Sequence, residues 1–583
     1  MDNNYIAKDG LSCIDILVDE NAGPQGLYAA DELRYYLSLI TAAQFEIVKN
    51  KLNMPAVILQ YTDAEEIGED GFSIRSAGKD MIITGGKRGI IYGVYELLEK
   101  LGCRFFTALC EKIPIKASLL MPVINETHIP VLEYREHNYA DAVKYTRFAV
   151  KCRLNGAHHK IREKHGGHMS YAWYVHTFQH MVPPEKYATE HPEYYALVNG
   201  KRPSLKQRFQ LCLSNPEVLK ISIDSARDAL IKNPKARIIS ISQNDWHGNC
   251  TCDDCKRIDN EEGSPAGLLL RFVNAIAETL EPEFPGVIFD TLAYMYTRPA
   301  PKITKPRHNV CVRLCSIECC FSHSLETCDD NKRAVKRPDG SISTFMNDLR
   351  DWGKICNRMY IWDYTTCFAH YPTPHPNWNT LQPNMKAFVQ NNVKGVFEQA
   401  NGSVGGGVDL NELRLYLISK LLWNPNTDLE KHMTEFLEFY YGKAAPFIRK
   451  YIDVQTKKVE KDNIHVGFND NPIAGFLSED MLDIYAEIYN MAKEAVKDQP
   501  LYLYRVAKAE LSIRYVRLKR KSKLQGIVDP QEIRDFFTDW QSFGLTRIDE
   551  WVSSQTTHRA LLAGKWRGTE FYGHWTDEGG EEL

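Results

Sequence analysis

The stretch ISQNDWHGNCTCDDCK, residues 241–256, carries two kinds of reactive side chain. Asn244 and Asp245 end an apolar run, and Cys250, Cys252 and Cys255 follow directly. An amide beside a carboxylic acid suits cleavage of a glycosidic bond, because the acid protonates the leaving oxygen while the amide orients a neighbouring group of the substrate. Thiols at this spacing suit a soft metal ion or a disulfide. His247 adds a further donor, and Cys319 and Cys320 lie on another expected strand end that can approach it. Structural zinc, a disulfide and unligated thiols all fit Cys250, Cys252 and Cys255. Glycosidic cleavage proceeds with carboxylates alone, so no catalytic metal or other cofactor is expected, and the cysteine cluster reads as scaffolding behind Asp245.

Two other carboxylates compete with Asp245. Glu318 in CSIECC and Glu398 in GVFEQAN each fit the acid, a nucleophile or a hydroxyl-binding residue. Around them stand His137, Asn155, His176, Tyr294, Asp363 and Tyr364, with Trp173, Trp246 and Trp362 beside them. Indole and phenol rings next to carboxylates match a sugar, whose C–H faces stack on aromatics while its hydroxyls take hydrogen bonds. The expected partner is therefore a glycan or glycoprotein. Arg313 is the strand-borne cation that an exo-acting α-glucuronidase-like enzyme needs for a uronate carboxylate, and a glycan-binding protein without catalysis uses the same aromatic cup.

These residues cluster at the ends of short apolar runs. VLEYREH, RLNGAH, YAWYVHTF, ARIISISQND, VIFDTLAY, VCVRLCSIE, MYIWDY and VKGVFEQAN give eight strand candidates between about 130 and 425, with amphipathic stretches such as AGLLLRFVNAIAETLEP between them. Eight strand-then-helix units predict an α/β fold built on a (β/α)8 TIM barrel, whose site lies at the C-terminal strand ends. Residues 1–125 alternate strand and helix signals and predict a small α/β domain; 126–425 hold the barrel; 426–583 predict a helical region. Its basic stretch RLKRKSK reads as a solvated helix face, and the closing TDEGGEEL as a frayed acidic tail.

The chain has 583 residues, enough for several domains, and a net charge of -4, which gives no field to attract nucleic acid. No run of about 18 apolar residues predicts a membrane span.

HPEYYALVNGKR, QLCLSNPEV, ISQNDW with CTCDDC, IWDYTTCFAHYPTPHPNWNTL and VKGVFEQANGSVGGGVDLNELRLYLISKLLWNP together resemble the bacterial proteins grouped as domain of unknown function 4838, now glycoside hydrolase family 163. AADELRYYLSLIT and MIITGGKRGIIYGVYELLEKLGCRFF are similar to the domain that precedes the barrel in family 67 α-glucuronidases. The family-163 resemblance implies a retaining endo-β-N-acetylglucosaminidase that cuts the chitobiose core of N-glycans with help from the substrate acetamide. It also implies export to the periplasm or cell surface, whereas 15 cysteines, an odd number, favour a reducing compartment.

Overall fold

Short β-branched runs form the strands of this computed structural model, which describes residues 4–563 apart from 52–53, 204–206, 338, 471–472, 474 and 527. The tail TDEGGEEL lies outside the described residues. The chain folds as two compact units, one of residues 1–168, 402–449 and 487–510, the other of 169–401, 450–486 and 511–583.

The first unit holds a mixed sheet of β1 (Asp15–Val18), β2 (Ile47–Val48), β3 (Ala56–Tyr61), β4 (Phe72–Ala77), β5 (Asp80–Gly85) and β6 (Asn125–His128), in spatial order β6-β4-β5-β3-β1-β2. β1, β2, β3 and β5 run parallel; at one edge β4 pairs antiparallel with β5, and β6 pairs antiparallel with β4. Helices Gly23–Thr41 and Gly89–Lys100 bury Leu33, Leu37, Ile90, Val94 and Leu98 against it. Asp70 anchors a buried ionic knot nearby, 2.5 Å from Arg88 and 3.2 Å from Arg135. Burial alone would raise its carboxyl, but the two guanidiniums hold it well below the usual range.

The second unit is built on parallel strands β8 (Ile238–Ser240), β9 (Ile288–Ala293), β10 (Val310–Cys315), β11 (Met359–Tyr364) and β12 (Val393–Gln399), following β7 (Tyr134–His137) of the first unit in the chain. Tyr171 adds one parallel bridge to Ile238, so YAWYVHTF runs beside β8 without becoming a regular strand. RLNGAH forms no strand: Arg153 has φ 57°, and the Asn155-Gly156 turn presses against Glu136. The expected eight-stranded barrel is thus a curled parallel sheet among the described residues. Helix 266–280 packs on β9 and β10, and helix 381–390 on β12; the β9–β10 link has only one short turn of helix.

Register and alternation sort the side chains onto two faces. Arg313 pairs with Tyr360, Cys315 with Trp362, Trp362 in turn with Phe397, and Tyr364 with Gln399, which puts these rings and polar groups on one face. Val312, Leu314, Ile361 and Val396 make the opposite, apolar face, and Asp363 and Glu398 share it as register partners.

The C-terminal helices carry RLKRKSK within Pro500–Gln525. Arg517 pairs with Asp483 at 2.6 Å, Arg520 with Glu479 at 3.1 Å and Lys521 with Glu532 at 2.8 Å, an ion-paired surface. Among the described residues no helix is long and apolar enough to cross a membrane.

Candidate active site

Beyond the C-terminal end of β8 the chain leaves its pleat at Gln243, and the next three residues turn under the control of Gln210. Its Nε2 donates to the carbonyls of Asn244 (2.8 Å) and Trp246 (2.6 Å), and its Oε1 accepts from the Asn244 N–H (3.0 Å). The Asn244 side chain is used in the same scaffold: Oδ1 accepts from the Gln179 N–H at 3.2 Å and Nδ2 donates to the Phe209 carbonyl at 3.0 Å. Asp245 is thereby pushed out, exposed, and its Oδ1 accepts a 2.8 Å hydrogen bond from the hydroxyl of buried Tyr294 at the end of β9. Burial and that carboxylate together raise the Tyr294 phenol well above its usual range, so it acts as a donor.

Trp362 and Tyr364 stack, with ring centres 6.4 Å apart, and Phe397 meets Trp362 edge-on at 5.1 Å. The indole Nε1 donates to Gln399 Oε1 (2.8 Å), and Gln399 Nε2 donates to Glu550 Oε1 (3.2 Å). Glu550 comes from the C-terminal part of the chain, held by its N–H to the Phe368 carbonyl at 3.1 Å. Burial first, and the charge of Asp245 second, push its carboxyl from 4.5 to about 7. Asp245 is thus exposed and held by a phenol, and Glu550, which feels its charge, holds its proton to near neutrality.

The remaining expected site residues divide. His176, with φ 58°, gives its Nδ1–H to the Gln243 carbonyl (2.9 Å) and sits 6.2 Å from the Tyr294 ring. Glu318 accepts from Arg298 at 3.2 Å and remains partly exposed. Arg313 is fully buried, 3.2 Å from Asp290 and bonded to the Tyr171 hydroxyl. Its charge is used inside the sheet.

Asp363 and Glu398 do not join the cup, because they occupy the helix-covered face. The Ser316 hydroxyl and the Tyr364 N–H hydrogen-bond Asp363, and burial pushes its carboxyl up to about 6. Glu398 Oε2 is buried with no hydrogen-bond partner, and burial with the adjacent Asp363 charge holds its proton well above the usual range. His137 and Asn155 belong to the first unit. His137 Nε2 lies 3.0 Å from Ser419 Oγ, and Asn155 bonds the Arg135 N–H (2.9 Å) and Asp70 (3.2 Å).

Glu550, Gln399 and Gln210 escape a reading of strand ends. The signal for Gln399 is its place in VFEQAN, one residue past Glu398 and on the other face; Glu550 has no strand-end signal. In the cysteine loop, Cys250, Cys252 and Cys255 converge with Cys212, while Cys320 belongs to a separate group with His323, Cys328 and His465.

The family model described as "Domain of unknown function (DUF4838)" matches residues 105–453. The chain belongs to the DUF4838 family. No curated protein matches its sequence. Among solved structures, a GH138 enzyme targeting pectin rhamnogalacturonan II is similar at 12% identity and TM-score 0.44, over 96% of each chain. A family 89 glycoside hydrolase from Clostridium perfringens in complex with PUGNAc is similar at 11% identity and TM-score 0.49, over 93% of this chain and 70% of that one. A Streptomyces plicatus β-hexosaminidase in complex with GlcNAc is similar at 12% identity and TM-score 0.40, over 75% of this chain and 90% of that one. In this DUF4838 chain Asp245 falls inside the family match and Glu550 beyond it.

Proposed function

We propose that the chain is a glycoside hydrolase in which Glu550 is the general acid and Asp245 the carboxylate that meets the developing positive charge. The observation that carries this reading is a Glu550 carboxyl that burial and the charge of Asp245 raise, together with an Asp245 held by the Tyr294 hydroxyl. Glu550 keeps its proton up to about pH 7 beside an exposed Asp245 whose position is fixed by Tyr294. A sugar ring lies on the Trp362–Tyr364 floor, with its glycosidic oxygen toward Glu550. The Glu550 proton passes to that oxygen as the C–O bond breaks, and the charge at the anomeric carbon is met by Asp245 or by the substrate's own acetamide carbonyl. A water then attacks, and its proton returns to Glu550.

The substrate class follows from the resemblance to family 163: a glycan with β-linked N-acetylglucosamine, cut internally, with retention. In that chemistry Asn244 orients the Asp245 turn through its side-chain bonds to the Gln179 N–H and the Phe209 carbonyl rather than gripping the acetamide directly. A uronate substrate would need a free cation, and Arg313 is committed to Asp290.

Incubation with a complex N-glycoprotein, with products read by mass spectrometry, tests the proposal. The expected result is released glycan with one N-acetylglucosamine left on the protein. Loss of a single uronic acid from a xylan-type oligosaccharide, or binding without any cleavage across a panel of glycans, would overturn it.

A further inference from the structure

We infer that the chain holds two structural zinc ions, one on Cys212, Cys250, Cys252 and Cys255 and one on Cys320, His323, Cys328 and His465. In the first group, Cys250 and Cys252 lie in the loop after β8, Cys255 in the first turn of helix 253–262, and Cys212 arrives from about forty residues earlier. Their four sulfurs lie within 4.8 Å of one another. Cys212 Sγ is 3.7 Å from Cys252 Sγ and 3.8 Å from Cys255 Sγ. Zinc–sulfur bonds of about 2.3 Å in a tetrahedron require sulfurs about 3.8 Å apart, whereas a disulfide requires about 2.05 Å. The Leu197 N–H points at Cys250 Sγ at 3.3 Å, and the hydroxyl of Ser214 lies 3.1 Å from Cys255 Sγ. Apolar packing asks for no common centre among four thiols; a tetrahedral ion does.

The second group rests on separate observations. Cys320 Sγ lies 3.4 Å from His323 Nδ1 and 3.4 Å from His465 Nδ1, and Cys328 Sγ lies 3.7 Å from His465 Nδ1. Zinc bonds of about 2.3 Å to sulfur and about 2.0–2.1 Å to nitrogen put S and N about 3.6 Å apart in the same geometry. His465 turns its other nitrogen to Asp329 at 3.1 Å. A carboxylate on that side fixes the tautomer that leaves the Nδ1 lone pair facing the sulfurs, as the outer partner of a metal-bound histidine does. Two soft sulfurs with two imidazoles, and four sulfurs alone, both select zinc over hard cations.

Each ion would staple a strand-end loop to a distant segment. The first fixes the loop that follows Asp245 to the strand-like segment at Leu211; the second fixes the loop that follows Glu318 to residues 464–466, where Ser322 already bonds the Ile464 carbonyl at 2.7 Å.

The test is elemental analysis of the full chain purified from zinc-supplemented cells without chelator, which is read independently of any activity. Two zinc per chain are expected. Cys212→Ser and Cys255→Ser should each reduce this to one, as should Cys320→Ser and His465→Ala, while Cys103→Ser, at a buried thiol in neither group, should keep two. Circular dichroism of each variant, and thiol-specific release of zinc from the unmutated protein by a mercurial, guard against loss through unfolding. One equivalent lost only with Cys212→Ser would overturn the second site, and one lost only with His465→Ala the first. No zinc, with every cysteine titrating as a free thiol in denaturant, would overturn both, and iron in place of zinc would overturn the choice of metal.

Discussion

Replacing Glu550 by glutamine keeps the shape and the acceptor that Gln399 binds, and removes only the proton that can be given away. Burial and Asp245 raise the carboxyl from 4.5 to about 7. With that shift about half of the molecules carry the proton at pH 7, against about 1 in 300 without it, and the same shift corresponds to about 3 kcal/mol. The sign for stability follows: the favourable contribution of the protonated carboxyl is full below pH about 4.5 and lost as pH rises through about 7. For the reaction, the alkaline limb of kcat/KM against pH should fall near 7 in the unmodified enzyme. Glu550→Gln should lose that limb and about 10²–10⁴ of the rate on a glycan with an ordinary alcohol leaving group. A dinitrophenyl glycoside, whose leaving group needs no protonation, should recover most of the loss. An unchanged alkaline limb in Glu550→Gln, or an equal loss on both substrates, would refute Glu550 as the acid.

Asp245→Asn should lower turnover by about 10²-fold or more on both leaving groups with an unchanged circular dichroism spectrum, because it removes the negative charge that faces the anomeric carbon rather than the proton donor. Tyr294→Phe removes one hydrogen bond to a charged group, about 1.5–3 kcal/mol, so kcat should fall about 10- to 100-fold while KM changes little; an unchanged kcat would take Tyr294 out of the site. Arg313→Met leaves Asp290 buried without its cation and should lower the unfolding free energy by about 3–5 kcal/mol in urea; a loss below about 1 kcal/mol would contradict the buried pair. Asp363 has its carboxyl raised from 3.8 to about 6, so its contribution to stability is full below pH about 4 and lost as pH rises through 6; Asp363→Asn should flatten the fall of unfolding free energy between about pH 4 and 6.

Much of the second unit was legible in the sequence for one reason. Runs such as VIFDTLAY, VCVRLCSIE and MYIWDY are dense in branched and aromatic residues, which fit a buried parallel strand, and each forms one. RLNGAH misled because Leu154 and the polar ends look strand-like, while Asn155-Gly156 favours a turn. The cup was drawn too widely for a different reason. Trp362, Asp363 and Tyr364 are consecutive, and a period of two sends the middle one to the other face; the same rule separates Glu398 from Gln399. Glu550 was invisible because nothing near it carries a strand pattern: only tertiary contact brings it to Gln399. Cys212 was missed likewise, standing far from the dense cysteine run that it completes.

The two carboxyl groups of the proposed mechanism leave the ribosome far apart in time. About 300 residues separate Asp245 from Glu550, which at about 5–20 residues per second means about 15–60 seconds of synthesis. During that interval a nascent chain can carry Asp245, Tyr294 and the stacked rings but no proton donor. It would hold a glycan and leave it whole. On the proposed mechanism, a chain that folds without residue 550 would bind the glycan that the whole protein cuts, so proteolytic loss of the last stretch would turn a cutter into a blocker.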